Sequence, residues 1–130
     1  MIAFVVDDEN IIASTLELIL IAQGFDARSF VDPLDALAAA HVETPQLLIT
    51  DVMMPNMNGI ELAIQVAQLC PECKILLFSG QAATHDLHAE AKARGHDFNL
   101  LAKPVHPNML LQTIRELMET GSTPRLDGLQ

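Results

Sequence analysis

The chain contains no tryptophan and no tyrosine, and only 4% of it is aromatic. Its core must therefore be aliphatic, supplemented by five Phe and six Met. Basic residues are also scarce: seven Lys and Arg stand against 17 Asp and Glu, a formal net charge of -10. That balance argues against direct binding of nucleic acid or anionic membrane, and it favours solubility and cationic or basic partners. No apolar run approaches the roughly 20 residues of a membrane-spanning helix. The longest candidate, residues 11–22, is broken by Ser14, Thr15 and Glu17. Met1 leads straight into an apolar strand, without a basic stretch or a small-residue cleavage site, so no signal peptide is read and a cytoplasmic location is expected. The two cysteines form Cys70-Pro71-Glu72-Cys73. A closed zinc site needs four ligands, and there is no second such pair. A redox pair is expected at a helix start, where the dipole lowers the thiol pKa. This pair ends a predicted helix, so both are read as structural thiols.

What is present is a strand–helix alternation repeated five times within 130 residues, half of them hydrophobic. The predicted strands are 2–6, 26–30, 46–50, 74–78 and 98–101. The predicted helices are 10–23, 33–41, 58–69, 83–94 and 107–119. Three of the strands are continuous apolar runs without two-residue alternation, the mark of strands covered on both faces. Gly24 and Gly95 follow helices as C-terminal stops. Asp32-Pro33 pairs an N-cap with proline at the first helical position. Asn58-Gly59 and His106-Pro107 open two more helices, the last with Leu110, Ile114, Leu117 and Met118 at helical spacing. Strict alternation implies an α/β fold, a doubly wound parallel sheet with helices on both faces. One domain is expected over residues 1–119. Residues 120–130, rich in Gly, Ser, Thr and Pro, read as a flexible tail or a truncated linker.

In such a sheet, ligands bind beyond the carboxyl ends of the strands. Asp7, Asp8, Asp51, Ser79 and Lys103 all fall at those ends and should converge. Three crowded carboxylates raise one another's pKa and repel when the site is empty. One divalent cation together with Lys103 would balance them. An all-oxygen donor set selects Mg²⁺ or Mn²⁺ over zinc. The same charges suit a phosphoryl group placed on a carboxylate, its oxygens neutralised by metal and lysine and hydrogen-bonded by a hydroxyl. Asp51 alone would read equally well as a turn or capping residue. Its occurrence in order with an Asp-Asp pair, a Pro- and Gly-punctuated loop and a Lys-Pro favours the site.

These motifs are Val5-Val6-Asp7-Asp8-Glu9, the stretch from Asp51 through Met53 and Pro55 to Gly59, Leu77-Phe78-Ser79-Gly80 and Ala102-Lys103-Pro104-Val105. With them the chain resembles a response-regulator receiver domain of two-component signalling, over residues 1 to about 119. The resemblance implies a flavodoxin-like fold with strand order 2-1-3-4-5. It implies that Asp51 accepts a phosphoryl group from a histidine kinase or histidine phosphotransfer protein. Asp8 would bind Mg²⁺ directly, Asp7 through water, Asp51 through its carboxylate and Met53 through its main-chain carbonyl. Ser79 and Lys103 would contact the phosphoryl group, and Gly80 would leave room for it. The Lys103–Pro104 peptide would be cis. A downstream protein partner is implied, and the chain is expected to be a switch with slow self-dephosphorylation at most, not an enzyme.

The sequence departs from the family in one respect. The residue three before the lysine is usually Tyr or Phe, and here it is Leu100. The segment from Gly95 to Lys103 is also one residue longer than usual, so Phe98 is displaced along it. Coupling is then expected to run through Ser79 and repacking of the fourth helix. Two rivals follow: a phosphate-independent docking module, kept open by Leu100, and a small Mg²⁺ phosphatase. The phosphatase is disfavoured because a second catalytic Asp two residues after Asp51 would be needed, where Met53 stands. His41, His85, His88, His96 and His106 are read as surface residues, and Met53, Met54 and Met57 as loop packing.

Overall fold

The computed structural model describes residues 1–80, 84–103 and 106–120. The elements run β1 (Ile2–Val6), α1 (Asn10–Ala22), β2 (Asp26–Phe30), α2 (Pro33–Val42), β3 (Leu47–Asp51), α3 (Gly59–Leu69), β4 (Lys74–Ser79), α4 (Thr84–Ala93), β5 (Asn99–Ala102) and α5 (Pro107–Thr120). All strand pairs are parallel, in the order β2-β1-β3-β4-β5. The tail from residue 121 and the Lys103–Pro104 peptide expected to be cis lie outside the described residues.

Alternate residues of the three central strands feed two separate apolar layers. Phe4, Val6, Leu48, Ile75 and Leu77 pack with α2, α3 and α4 through Ala36, Ala40, Leu62, Val66 and Ala91. Ala3, Val5, Leu47, Ile49, Leu76 and Phe78 pack with α1 and α5 through Leu16, Leu20, Leu110 and Ile114. This is why those strands read as unbroken apolar runs: each side chain meets a helix whichever way it points. The edge strands differ. In β2, Ala27 is buried while Asp26 and Arg28 are exposed. In β5, Asn99 and Ala102 are exposed.

Local signals set the helix ends. The Asp32 side chain accepts from the Leu34 N–H at 2.9 Å, with Pro33 following it. Asn58 accepts from the Glu61 N–H at 2.8 Å. Gly24 and Gly95, at φ 95° and 91°, turn the chain out of α1 and α4. The strands β3, β4 and β5 end one residue later than predicted, because pairing carries them to the end of the ladder. Asp51 is opposite Phe78, and Ser79 is opposite Ala102.

Leu77 is fully buried in a central strand. Leu77→Ala should cost about 3 kcal/mol, against less than about 0.5 kcal/mol for Ile11→Ala on the exposed face of α1. Urea unfolding measures both, and equal losses would contradict the two-layer core.

Candidate functional site

The carboxyl edge of the sheet gathers charge that the sequence keeps far apart. Asp7 directly follows β1 and is 1% exposed. Its Oδ1 accepts from the Glu9 N–H at 2.9 Å, and its own N–H donates to the Phe30 carbonyl at 3.1 Å. Asp51 ends β3 and is 8% exposed. Its Oδ1 accepts from the Val52 N–H at 3.0 Å. Lys103 follows β5 and reaches across the end of β4. Its Nζ lies 3.2 Å from Asp7 Oδ2 and 3.3 Å from Asp51 Oδ1. One ammonium thus bridges two buried carboxylates. Asp8 is exposed, yet it offers an oxygen so placed that ligand atoms of Asp7, Asp8 and Asp51 all lie within 4.8 Å of one another. Three carboxylates at that spacing fit a hard divalent cation.

Ser79, buried at the end of β4, lies opposite Ala102, and its carbonyl accepts from the Lys103 N–H at 3.0 Å. This bond anchors the lysine's backbone beside the serine. A Cβ added at Gly80 would meet Lys103 Cβ at 3.6 Å, an ordinary contact. The Met53 side chain, 43% exposed, is outside the core, whereas Met54 and Met57 pack against the layer under α3.

The site's electrostatics follow from burial. Burial pushes the Asp51 carboxyl above its usual 3.8, and the nearby Asp7 charge pushes the same way, while Lys103 pulls it back. For Lys103 burial works downward, but the Asp51 and Asp7 charges outweigh it, and its pKa ends above the ordinary lysine value. The ammonium is therefore firmly held, and the carboxylate beside it is under strain from its surroundings.

Gly59 has a role beyond opening a helix. Its N–H donates to the Val52 carbonyl at 2.7 Å, and a Cβ there would stand 1.9 Å from the Asp51 carbonyl oxygen. The first turn of α3 is thus pressed against the backbone that carries Asp51, and only glycine allows that approach. The Thr50 hydroxyl donates to the same carbonyl at 2.9 Å. In the intervening loop Asn56 has φ 72°, a conformation asparagine tolerates better than most side chains.

One expectation about other residues needs revision. His41 and His106 are exposed, but His88 and His96 are half-buried. A ring nitrogen of His88 lies 2.8 Å from the Phe98 carbonyl oxygen, and His96 stacks on the Phe98 ring with centroids 5.6 Å apart. The side chain of His85 lies outside the described residues. Spacing in sequence did not reveal that the turn after α4 folds back on this helix. The cysteines are free, and Cys73 is buried. Burial first, then the neighbouring Cys70, pushes the Cys73 thiol up to about 12, which leaves it protonated and unreactive at neutral pH.

The family model for the response regulator receiver domain matches residues 3–115. The chain belongs to that family. The receiver CpdR of Brucella abortus is 31% identical over 112 residues, which cover 86% of this chain and 92% of that protein. The probable transcriptional regulatory protein TcrX of Mycobacterium tuberculosis is 30% identical over 97% of this chain, but the match spans only 53% of TcrX. A receiver domain protein from Methanospirillum hungatei superposes with a TM-score of 0.81 at 27% identity, covering 91% of this chain and 94% of that one. Receiver domains are signalling modules of two-component systems, and they typically bind Mg²⁺ at an acidic pocket such as the Asp7, Asp8 and Asp51 cluster. Among the described residues of this receiver, no helix is long and apolar enough to cross a membrane.

Two predictions follow from this packing. Because the pKa of Asp51 is raised in the fold, its contribution to stability is present below 3.8 and lost as pH rises through the higher folded-state value. Asp51→Asn removes that loss while Asp7 keeps Lys103 paired. It should raise stability at neutral pH by about 1 kcal/mol, or roughly 4 °C in melting temperature, with the gain vanishing in acid. Melting curves of the two proteins that coincide at neutral pH would sink this expectation. Separately, Gly59→Ala should cost about 3 kcal/mol in urea unfolding, because α3 must move off the Asp51 backbone.

Proposed function

We propose that this receiver is a phosphorylation-dependent switch in which Asp51 accepts a phosphoryl group from the phosphohistidine of a histidine kinase or histidine phosphotransfer protein. The observation that carries this reading is the Lys103 ammonium shared between Asp7 and the strained, buried Asp51. An Asp51 carboxylate oxygen attacks phosphorus, the P–N bond to the donor imidazole breaks, and an acyl phosphate forms. Mg²⁺, held by Asp7, Asp8, Asp51 and the main-chain carbonyl of Met53, would supply charge neutralisation for the phosphoryl oxygens. Lys103 shifts from the carboxylates to pair with the phosphoryl group, and the Ser79 hydroxyl donates to one of its oxygens. Hydrolysis of the acyl phosphate resets the switch, and no metabolic turnover is assigned to the chain.

The phosphodonor would dock beside α1, which starts just beyond Asp8 and displays Ile11 and Leu18, 79% and 67% exposed. The downstream partner is a protein, and with a net charge of -10 the chain itself is assigned no nucleic-acid contact and no membrane contact. A cytoplasmic location follows from the same reading. Residues 1–119 are assigned to the receiver.

Incubation with Mg²⁺ and acetyl phosphate, followed by intact-mass measurement, tests the reading. One added phosphoryl group is expected, absent in Asp51→Asn, lost on removing Mg²⁺, and formed about 100-fold more slowly in Lys103→Ala. An unmodified mass under these conditions would instead favour a phosphate-independent docking module. Turnover of general phosphomonoesters would favour a phosphatase.

A further inference from the structure

The half-buried His88 accounts for what the leucine at position 100 leaves open. In the α4-facing layer, Phe98 and Leu100 pack on the same side of β5, beside Leu87 and Ala91 of α4. Leu100 lies opposite Leu77 in the ladder and carries no ring that could swing. Phe98 sits one strand period further from Lys103, just before β5, where His96 stacks on it. Among the residues of α4 whose side chains are described, only Ala91 is buried, so apolar packing holds this helix weakly. Against that background stands a polar contact. The His88 ring nitrogen Nε2 meets the Phe98 carbonyl oxygen at 2.8 Å. A carbonyl can only accept, so Nε2 must carry the hydrogen. It does so in the Nε2–H tautomer and in the imidazolium alike, and protonation by itself therefore leaves the bond in place.

The two ends of β5 are thus tied to different parts of the molecule. Phe98, at its start, is held by α4 through His88. Lys103, at its end, is held by Asp7 and Asp51. Between them lie four residues of an edge strand, paired to β4 along one side only. A short extended strand has little slack along its length, so a displacement of the Lys103 end is passed to the Phe98 end.

We propose that His88 is a positioning residue that ties α4 to the start of β5, and that phosphorylation of Asp51 releases this tie by drawing Lys103 and β5 toward the phosphoryl group. The inference rests on Asp51 being the phosphoacceptor. It assigns the step from site to surface to a histidine on α4, in a receiver with leucine where an aromatic residue is usual.

The test is amide hydrogen exchange followed by mass spectrometry, with and without Mg²⁺ and acetyl phosphate, and with intact mass recording the phosphorylated fraction in every sample. In the unphosphorylated wild-type protein, amides of α4 should exchange slowly, and phosphorylation should speed them about fivefold, as expected for losing one hydrogen bond. His88→Ala should exchange at the faster rate in both states, with the Asp51 phosphorylation rate unchanged within twofold. His88→Gln, which retains an N–H donor at similar reach, should restore the difference between states. If phosphorylation is complete and the α4 difference persists undiminished in His88→Ala, the tie is refuted while Asp51 stands as phosphoacceptor. If no phosphoryl mass appears, the functional reading fails with the release step. In that case unchanged α4 exchange in His88→Ala would also dismiss the static tie.

Discussion

A single ammonium shared by two buried carboxylates sets the terms for the rest of this molecule. Lys103 approaches both Asp7 and Asp51, and both acids are buried. The arrangement depends on the sheet order. With β1 and β3 adjacent at the centre and β4 and β5 outside them, a lysine after β5 must pass over the end of β4 to reach the acids. The bond from the Lys103 N–H to the Ser79 carbonyl anchors the lysine's backbone at the end of that path. Charge left over from this pairing resides on Asp8 and on the strained Asp51, which is what a cation and a phosphoryl group would relieve.

The scaffold is rigid where the site needs it and weak where a signal must leave it. The central strands are sealed on both faces by two apolar layers, and α3 is pressed so closely on Asp51 that a single methyl group would not fit at Gly59. By contrast, α4 is short and polar and keeps one buried residue among those described. Stability in proteins is unevenly distributed, and elements that move are drawn from its weaker end. The contact between His88 and Phe98 lies on that weaker side.

Much of this was legible before any coordinates. The bounds of β1 and β2 read correctly, because an apolar run or a turn marks each end. The ends of β3, β4 and β5 shifted by one residue, since pairing with a neighbour extends a strand past the point where its own pattern stops. The convergence of Asp7, Asp8, Asp51 and Lys103 followed from parallel topology alone. The bridging geometry did not, because it depends on how far one side chain extends over a neighbouring strand.

The residue types and their order determined the fold class, the apolar central strands and the acidic edge, because periodicity and capping are local properties of the chain. Tertiary structure alone decided three further things. It placed α3 against the Asp51 carbonyl, making Gly59 a steric necessity and not only a helix start. It packed Phe98 and Leu100 in the layer that holds α4, and Leu101 in the layer that holds α5. It brought His88 to the Phe98 carbonyl across ten residues of chain. Each of these is a distance between segments that no local pattern encodes, and each is set only when helices settle on the sheet.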